Sequence, residues 1–232
     1  PLSVQEQQHY GVIPVADALT ALHSPTTQDN LDQGRKRLVF DEFLLLQLGL
    51  LRRRSELRAR SAPDLLIDRQ GDGLVERFLA LLPFQLTGAQ SRVFAEIETD
   101  LAQPEPMARL VQGDVGSGKT VVAIAALLST IEAGWQGALM APTEVLAEQH
   151  YRNLCTWLTQ LNVNVELLTG STAKSKRKRL LEDLATGSLQ VLVGTHALLE
   201  DPVVFARLGL VVVDEQHRFG VHQRDRLLNK GL

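Results

Sequence analysis

From about residue 74 to the end of the sequence, short apolar runs alternate with longer segments of helical periodicity. We predict strands at five apolar runs: MARLVQ (107–112), GALMAP (137–142), VELLTG (165–170), LQVLVG (189–194) and LGLVVVD (208–214). Runs this apolar are typical of strands buried on both faces, as in a parallel sheet covered by helices. The pattern therefore predicts an α/β layer fold with right-handed crossovers. Helices are predicted between the runs, from GDVGSGKT through Ile131 and at residues 143–161, 171–187 and 195–201.

The first 60 residues contain no alternating pattern of the kind that predicts strands. Helical periodicity covers VADALTALH (15–23) and the segment 35–60, and the polar stretch SPTTQDN (24–30) between them predicts a loop. Apolar residues crowd one broad face of the second predicted helix: Leu38, Phe40, Phe43, Leu44, Leu46, Leu48 and Leu51.

The stretch 61–73 separates these two textures, and its Pro63 and two glycines indicate a linker. We predict a helical linker segment at 1–73 and an α/β lobe at 74–232. With 232 residues and 44% apolar content, the chain is large enough for one sizeable core and an appendage.

Composition limits the possible partners and compartments. The net charge of −3 does not indicate a nucleic-acid binder, so any DNA contact must come from local clusters. Aromatic residues make up 5% of the chain, which disfavours a base-stacking platform.

The single cysteine, Cys155, excludes an internal disulfide, and we predict it to be a core thiol in a reducing compartment. No apolar run approaches the roughly 20 residues of a membrane span. The sequence begins at Pro1 without a signal-peptide pattern, and we expect it to be part of a longer protein.

The segment GDVGSGKT (113–120) fits the pattern G-x-x-x-x-G-K-[ST] of a phosphate-binding loop. Gly113, Gly116, Ser117 and Gly118 would let the backbone wrap closely around an anion, with N–H groups pointing inward at the start of a helix. Lys119 would reach the β and γ phosphates of ATP, and the Thr120 hydroxyl would bind Mg²⁺. An apolar run before the loop and an apolar helix after it favour this interpretation over a plain turn.

An acidic pair completes the predicted site. Asp214 follows an apolar run, which places it at the carboxyl end of a strand, where it would hold Mg²⁺. Glu215 is the candidate general base for the attacking water. The alternative is that the pair only terminates a strand at the surface.

Upstream, Thr87 is a candidate helix N-cap, and the amide of Gln90 in the first turn has the donor and acceptor needed to read adenine. First-turn glutamines are also commonly solvated.

These segments, together with others in a fixed order, resemble the motifs of superfamily 2 helicases: GDVGSGKT, APTEVLAEQH (141–150), LTGS (168–171), VGTHALL (193–199) and DEQHRFGVHQR (214–224). More narrowly, they resemble the RecG family of bacterial ATP-dependent helicases that remodel branched DNA. LPFQLTGAQ (82–90) resembles that family's glutamine motif, and ALHSP (21–25) with RLVFDEFLLLQLGL (37–50) resembles the segment joining its wedge domain to its motor. The resemblance implies a RecA-like P-loop lobe that uses ATP and Mg²⁺ on branched, single-stranded or double-stranded DNA.

The resemblance also implies roles for individual residues. Gln216 and His217 match positions that link the nucleotide state to the grip on DNA. Positions that match backbone contacts to one DNA strand are Thr143, Gly170, Ser171, Thr195 and His196. Arginines near the acidic motif would either pair with carboxylates or face DNA, and they are Arg218, Arg224 and Arg226.

Further predictions concern the whole protein. The family implies a wedge domain and a second motor lobe with an arginine finger, so we expect this chain alone to bind nucleotide weakly and not to unwind DNA. The protein is expected in the bacterial cytoplasm, associated with the nucleoid, and not in a membrane. The basic run KSKRKR (174–179) is interpreted as a solvated helix face, with DNA phosphate contact as the alternative. Other open functions are a transcription-repair coupling translocase, a non-hydrolysing ATP-binding module and a P-loop ATPase acting on proteins or small molecules.

Overall fold

The chain divides into two compact units in the computed structural model, residues 1–60 and 61–232. The model describes residues 2–59, 65 and 72–220. Most of the predicted linker at 61–73 lies outside the described residues. The assignment of 1–73 to a linker and of 74–232 to a motor lobe therefore stays a prediction.

The first unit contains three helices: α1 (Val4–Tyr10), α2 (Val15–His23) and α3 (Gln28–Arg58). Helix α2 has the predicted bounds. Helix α3 begins inside the predicted loop, because the side chain of Thr27 accepts a hydrogen bond from the backbone N–H of Asn30 and caps the helix. Helix α1 was not predicted, although Ser3 and Glu6 form a capping box that the sequence displays.

Helices α2 and α3 pack closely around small residues. Ala18 is fully buried, and a Cβ added at Gly34 would lie 2.9 Å from the Ala18 carbonyl oxygen. Arg37 is also buried, and its guanidinium donates to the Ile13 carbonyl at 3.1 Å and to the Asp41 carboxylate at 3.0 Å. These bonds satisfy a charge that would otherwise be costly to bury.

The apolar face predicted for α3 is not buried in this chain. Its members beyond Asp41 that are more than half exposed are Phe43, Leu46, Leu48 and Leu51. Leu45 and Leu50 are exposed as well, so apolar side chains surround this half of the helix. The broad face that periodicity suggested is therefore not a single buried stripe.

The second unit contains helices α4 (Leu74–Leu81), α5 (Gly88–Leu101), α6 (Lys119–Glu132), α7 (Glu144–Leu158) and α8 (Lys174–Thr186). Its strands are β1 (Gln136–Met140), β2 (Val165–Leu168), β3 (Val191–Gly194) and β4 (Leu208–Val213). The strands are parallel and lie in the order β2-β3-β1-β4. The predicted α/β class is confirmed, as are four of the five predicted strands.

Alternate residues of the strands face two different cores, which explains why the strands are apolar throughout. In β1, Leu139 belongs to the core that helices α4 to α7 cover, whereas Ala138 and Met140 belong to the core that α8 covers. Helices on both faces leave the ends of the strands as the places where polar groups meet.

The fifth predicted strand, Met107–Gln112, is wrong. Within the described residues this segment joins no ladder, and most of it is exposed. Arg109 ties it to α5 instead, through Asp100 at 2.7 Å and through Glu96. The hydrogen bond to Asp100 is the main cause that raises the pKa of Arg109. Apolar content alone therefore does not produce a strand. A strand also needs a neighbouring strand to pair with, and among the described residues none pairs with 107–112.

Two smaller differences concern helices and burial. The helix predicted at 195–201 is a short 3-10 turn, His196–Leu199. Cys155, predicted to be a core thiol, is only half-buried on α7. No helix in the described part of the chain is long and apolar enough to cross a membrane.

Candidate nucleotide-binding site

The phosphate loop has the backbone geometry that its glycines suggested. Gly116 and Gly118 adopt φ of +82° and +79°, in the left-handed region that glycine enters without steric cost. Lys119 is the first residue of α6, and its ammonium donates to the carbonyls of Gly113 at 2.7 Å and Asp114 at 2.8 Å. The positive charge therefore lies inside the loop, at the positive end of a helix.

Two glycines of the loop also meet close neighbours. A Cβ at Gly113 would lie 2.7 Å from the hydroxyl of Ser117, and a Cβ at Gly118 would overlap the side-chain amide of Gln90. Gln90 accepts a hydrogen bond from the Thr87 N–H at 2.8 Å and donates to the Ser117 carbonyl at 2.9 Å. Gln90 thus ties the start of α5 to the loop. Its role in reading adenine stays a prediction, for which the amide retains one N–H and one lone pair beyond these two bonds.

The acidic motif begins where β4 ends. The Asp214 N–H donates to the Met140 carbonyl at 2.9 Å, so the ladder with β1 extends one residue beyond the strand. One oxygen of the Asp214 carboxylate accepts from the Glu215 N–H at 3.0 Å. The other oxygen lies 2.8 Å from Nε2 of His150 on α7. Both oxygens are therefore engaged, and each retains a free lone pair for a further ligand.

Glu215 has an unusual backbone conformation. Its φ of +49° lies in the left-handed region, which costs a residue with a side chain about 1–2 kcal/mol. Its exposed carboxylate lies 3.4 Å from Nε2 of His217, in the short 3-10 helix Gln216–Arg218. The Arg218 N–H donates to the Glu215 carbonyl at 2.9 Å. Arg224 and Arg226 lie outside the described residues.

Chain geometry brings the loop and the acidic motif to the same rim of the sheet. Helix α6 packs on β1 and β4, and Thr130 near its end lies against Gly209 near the start of β4. From Thr130 back to Thr120 the helix rises about 15 Å. From Gly209 forward to Asp214 the strand advances about 16 Å. Because the two lengths are similar, we expect Thr120 and Asp214 to lie at similar heights above the carboxyl ends of the strands.

The residues predicted to contact DNA differ in their exposure. Thr143 is the N-cap of α7 and accepts from the Leu146 N–H at 3.3 Å. Ser171 donates through its hydroxyl to the Glu144 carboxylate at 2.9 Å, and Gly170 packs against the same carboxylate. His196 is exposed, whereas Thr195 is 1% exposed. Thr195 is thus the most buried of these residues, and its predicted contact with DNA stays a prediction.

The basic run 174–179 lies on the outer side of α8. Four of its residues lie within ion-pair distance of carboxylates: Lys176 with Glu166, Arg177 with Glu200, Lys178 with Glu182 and Arg179 with Asp183. Pairs this exposed contribute little to stability, and they agree with a solvated helix face. The DNA alternative is not tested by these contacts.

Two residues of the site were missed in the sequence. His150 and Glu144 both lie on α7, where they contact Asp214 and Ser171 respectively. Both belong to the segment APTEVLAEQH, so they were within a recognised motif. No spacing rule connects His150 to a residue 64 positions away, and only the tertiary fold brings the two together.

Comparison with known proteins agrees with this geometry. The DEAD/DEAH box helicase family model matches residues 87–232. The ATP-dependent DNA helicase RecG of Synechocystis sp. is 53% identical over 100% of this chain and 28% of its own length. For the protein of the same name from Bacillus subtilis, the identity is 48%, over 100% of this chain and 34% of its own length. The chain thus spans about a third of the length of these curated relatives.

A solved structure of RecG bound to a three-way DNA junction superposes on this chain with a TM-score of 0.85. The sequences are 42% identical, and the match covers 94% of this chain and 30% of that chain. At this identity the similarity extends to the sequence as well as the fold.

Proposed function

Because this chain belongs to the DEAD/DEAH box helicase family, we propose that it is the nucleotide-binding lobe of an ATP-dependent DNA helicase that remodels branched DNA. The relatives of highest similarity discussed above carry the name ATP-dependent DNA helicase RecG. Their similarity extends over the whole of this chain, which supports a shared activity rather than a shared fold alone.

One arrangement carries the proposal: the Lys119 ammonium lies within a loop at the start of α6, and Asp214 directly follows β4. The lengths of α6 and β4 lead us to expect both at the same rim of the sheet. A triphosphate lying in this loop would meet the N–H groups of the helix start and the Lys119 ammonium. A glycine-rich turn without a ligand would not require an acidic residue at the end of a strand about a hundred residues later, whereas a nucleotide-binding site does.

Oxygen donors at this rim suit Mg²⁺, since Thr120 offers a hydroxyl and Asp214 a carboxylate whose oxygens retain free lone pairs. When bound, the ion neutralises charge on the β and γ phosphates. Lys119 binds the same phosphates, and Asp214 holds its carboxylate toward the rim. Glu215 accepts a proton from the attacking water, for which its exposed carboxylate is accessible.

The DNA-binding surface is proposed to lie along the same edge of the sheet, at Thr143, Gly170, Ser171, Thr195 and His196. The chain spans about a third of its relatives, so a second motor lobe and a wedge domain are proposed as further parts of the machine. Two lobes that close on ATP and reopen after hydrolysis would convert turnover into motion. Association with the nucleoid stays a prediction.

The test measures ATP hydrolysis by the full-length protein with no DNA, with linear duplex and with a three-way junction. We expect the junction to stimulate turnover most, and Lys119→Ala to lower stimulated turnover by about 10²- to 10³-fold. Asn153→Ala, an exposed change on α7, is the control and should match the parent.

Equal turnover with and without DNA would contradict the helicase proposal and favour an ATPase that acts on other substrates. Equal stimulation by duplex and junction would contradict the branched-DNA part alone.

A further inference from the structure

His150 contacts the predicted metal-binding carboxylate and has no assigned role. Its Nε2 lies 2.8 Å from an Asp214 carboxylate oxygen. The two residues lie on different elements, α7 and the end of β4, so the contact is tertiary. We propose that His150 is a positioning residue that fixes the orientation of the Asp214 carboxylate for Mg²⁺. The proposal rests on the proposed function, because it assigns Asp214 to the metal.

Helix α7 holds the imidazole in a defined place. Ala147 and Leu154, three residues before and four after His150, share its side of the helix and are fully buried. The helix therefore cannot rotate about its axis without exposing its core-facing side chains. At its N-terminus, Glu144 accepts hydrogen bonds from Ser171, which fixes the start of α7 beside the loop after β2. The His150 ring is only 15% exposed.

The surroundings of the ring determine which nitrogen carries the proton. Among the described residues, Nδ1 of His150 is buried and has no hydrogen-bond partner. A proton on Nδ1 would leave an N–H donor unsatisfied and turn the lone pair of Nε2 toward the carboxylate of Asp214. Both are unfavourable, because buried donors need partners and like partial charges repel. The geometry therefore favours the tautomer in which Nε2–H donates to Asp214.

With this tautomer, each oxygen of the Asp214 carboxylate accepts one N–H: one from Glu215 and the other from His150. Two donors from different directions fix the plane of the carboxylate and prevent rotation about its χ2 angle. Partners that orient a ligating carboxylate are typically worth about 10- to 100-fold in metal affinity. We expect His150 to act at the lower end of this range, since the Glu215 N–H remains when the imidazole is removed.

The first experiment examines the contact without metal or nucleotide. Two-bond ¹⁵N–¹H NMR of the 232-residue chain reports which ring nitrogen of His150 is protonated. We expect a protonated Nε2 and an unprotonated Nδ1, with a changed Nε2 shift in Asp214→Asn. A proton on Nδ1, or a spectrum that does not respond to Asp214→Asn, would overturn the proposal.

The second experiment measures the affinity of a fluorescent ATP analogue with Mg²⁺ and with chelator. His150→Leu removes the donor, His150→Gln keeps an N–H at the position of Nε2, and Asn153→Leu is the matched control on α7. We expect His150→Leu to reduce the Mg²⁺-dependent gain in affinity by about 10-fold while leaving the metal-free affinity within about twofold. His150→Gln should retain most of the gain, and Asn153→Leu all of it.

An unchanged Mg²⁺-dependent gain in His150→Leu would overturn the proposal, as would equal losses in His150→Gln and His150→Leu. These affinities are measured on the full-length protein, and a full-length parent without nucleotide affinity would count against the proposed function instead. In that case the tautomer and its response to Asp214→Asn still decide whether His150 positions the carboxylate.

Discussion

The phosphate loop and the acidic motif at the end of β4 both contain backbone with positive φ, and they accommodate it differently. The loop uses Gly116 and Gly118, which enter this region without strain. The acidic motif uses Glu215, whose Cβ makes the same conformation costly. The neighbour of Glu215, Asp214, is held by β1 and by His150. A strained residue persists where its surroundings hold its conformation, and the Arg218 N–H that donates to the Glu215 carbonyl contributes to this.

The two halves of the site also differ in the range of their hydrogen bonds. The Lys119 ammonium bonds carbonyls five and six residues before it, so one consecutive stretch builds the cation-holding loop. Asp214 bonds Met140 and His150, which are more than sixty residues away. The first half is a local structure, whereas the second exists only once the sheet and α7 have assembled.

The largest effect is expected from Glu215→Gln, which removes the charge and keeps a side chain of the same size. If the acidic half performs the chemistry, turnover of ATP should fall by about 10²- to 10⁴-fold, the usual contribution of a general base. Nucleotide affinity should stay within about twofold, because the loop that binds phosphates is untouched. Single-turnover hydrolysis and equilibrium binding, measured on the full-length protein, give both numbers.

A variant that hydrolyses ATP at the parent rate would show that Glu215 is not the base. Only the phosphate loop would then be functional, and Glu215 would be a strained residue with no part in hydrolysis.

The difference in range explains what the sequence could predict. GDVGSGKT, the four confirmed strands and the capping residue Thr87 are local features, and each was predicted from neighbouring letters. Met107–Gln112 is as apolar as the other runs, yet strand formation depends on a partner strand that its own letters do not specify. His150 was missed for the same reason, since its partner is distant in the sequence. The exposure of the apolar face of α3 lay beyond the sequence pattern as well, because periodicity does not show whether a second surface covers a helix face.

A smaller effect is expected when a residue with a Cβ replaces Gly118 of the phosphate loop, which introduces the positive-φ strain that Glu215 already has. Gly118→Ala places a Cβ at φ +79° and against the Gln90 amide, so we expect a loss of about 2–3 kcal/mol in the free energy of unfolding. Gly134→Ala is the matched control, with φ +80° and, among the described residues, no atom within 4 Å of the added Cβ. Its left-handed strain of about 1–2 kcal/mol is partly offset by the reduced freedom of alanine in the unfolded chain, so it should cost only about 0–1.5 kcal/mol. Chemical denaturation of both variants measures the difference.

Nucleotide affinity is a second measurement that distinguishes Gly118→Ala from Gly134→Ala. Gly118→Ala should also weaken ATP affinity, because displacement of Gln90 disturbs the Ser117 carbonyl and the loop behind it. Gly134→Ala lies in the turn between α6 and β1 and should bind as the parent does. Equal stability losses in the two variants would mean that the Gln90 side chain moves away at little energetic cost and does not support the loop.

The smallest effect is expected from Glu215→Gly, which gives the acidic half the residue type that the loop uses. Removing the Cβ relieves about 1–2 kcal/mol of left-handed strain, while the greater freedom of glycine in the unfolded chain costs about 0.5–1 kcal/mol. The free energy of unfolding should therefore rise by about 0–1.5 kcal/mol relative to Glu215→Gln, the reference that also lacks the charge. Denaturant titration of the two variants isolates the backbone contribution from the loss of the carboxylate. A lower stability in Glu215→Gly than in Glu215→Gln would mean that the strain at Glu215 is smaller than the entropic cost of glycine, and the two halves of the site would then accommodate positive φ about equally well. A higher stability in Glu215→Gly, together with loss of turnover, would instead locate a conflict between folding and hydrolysis at this one position.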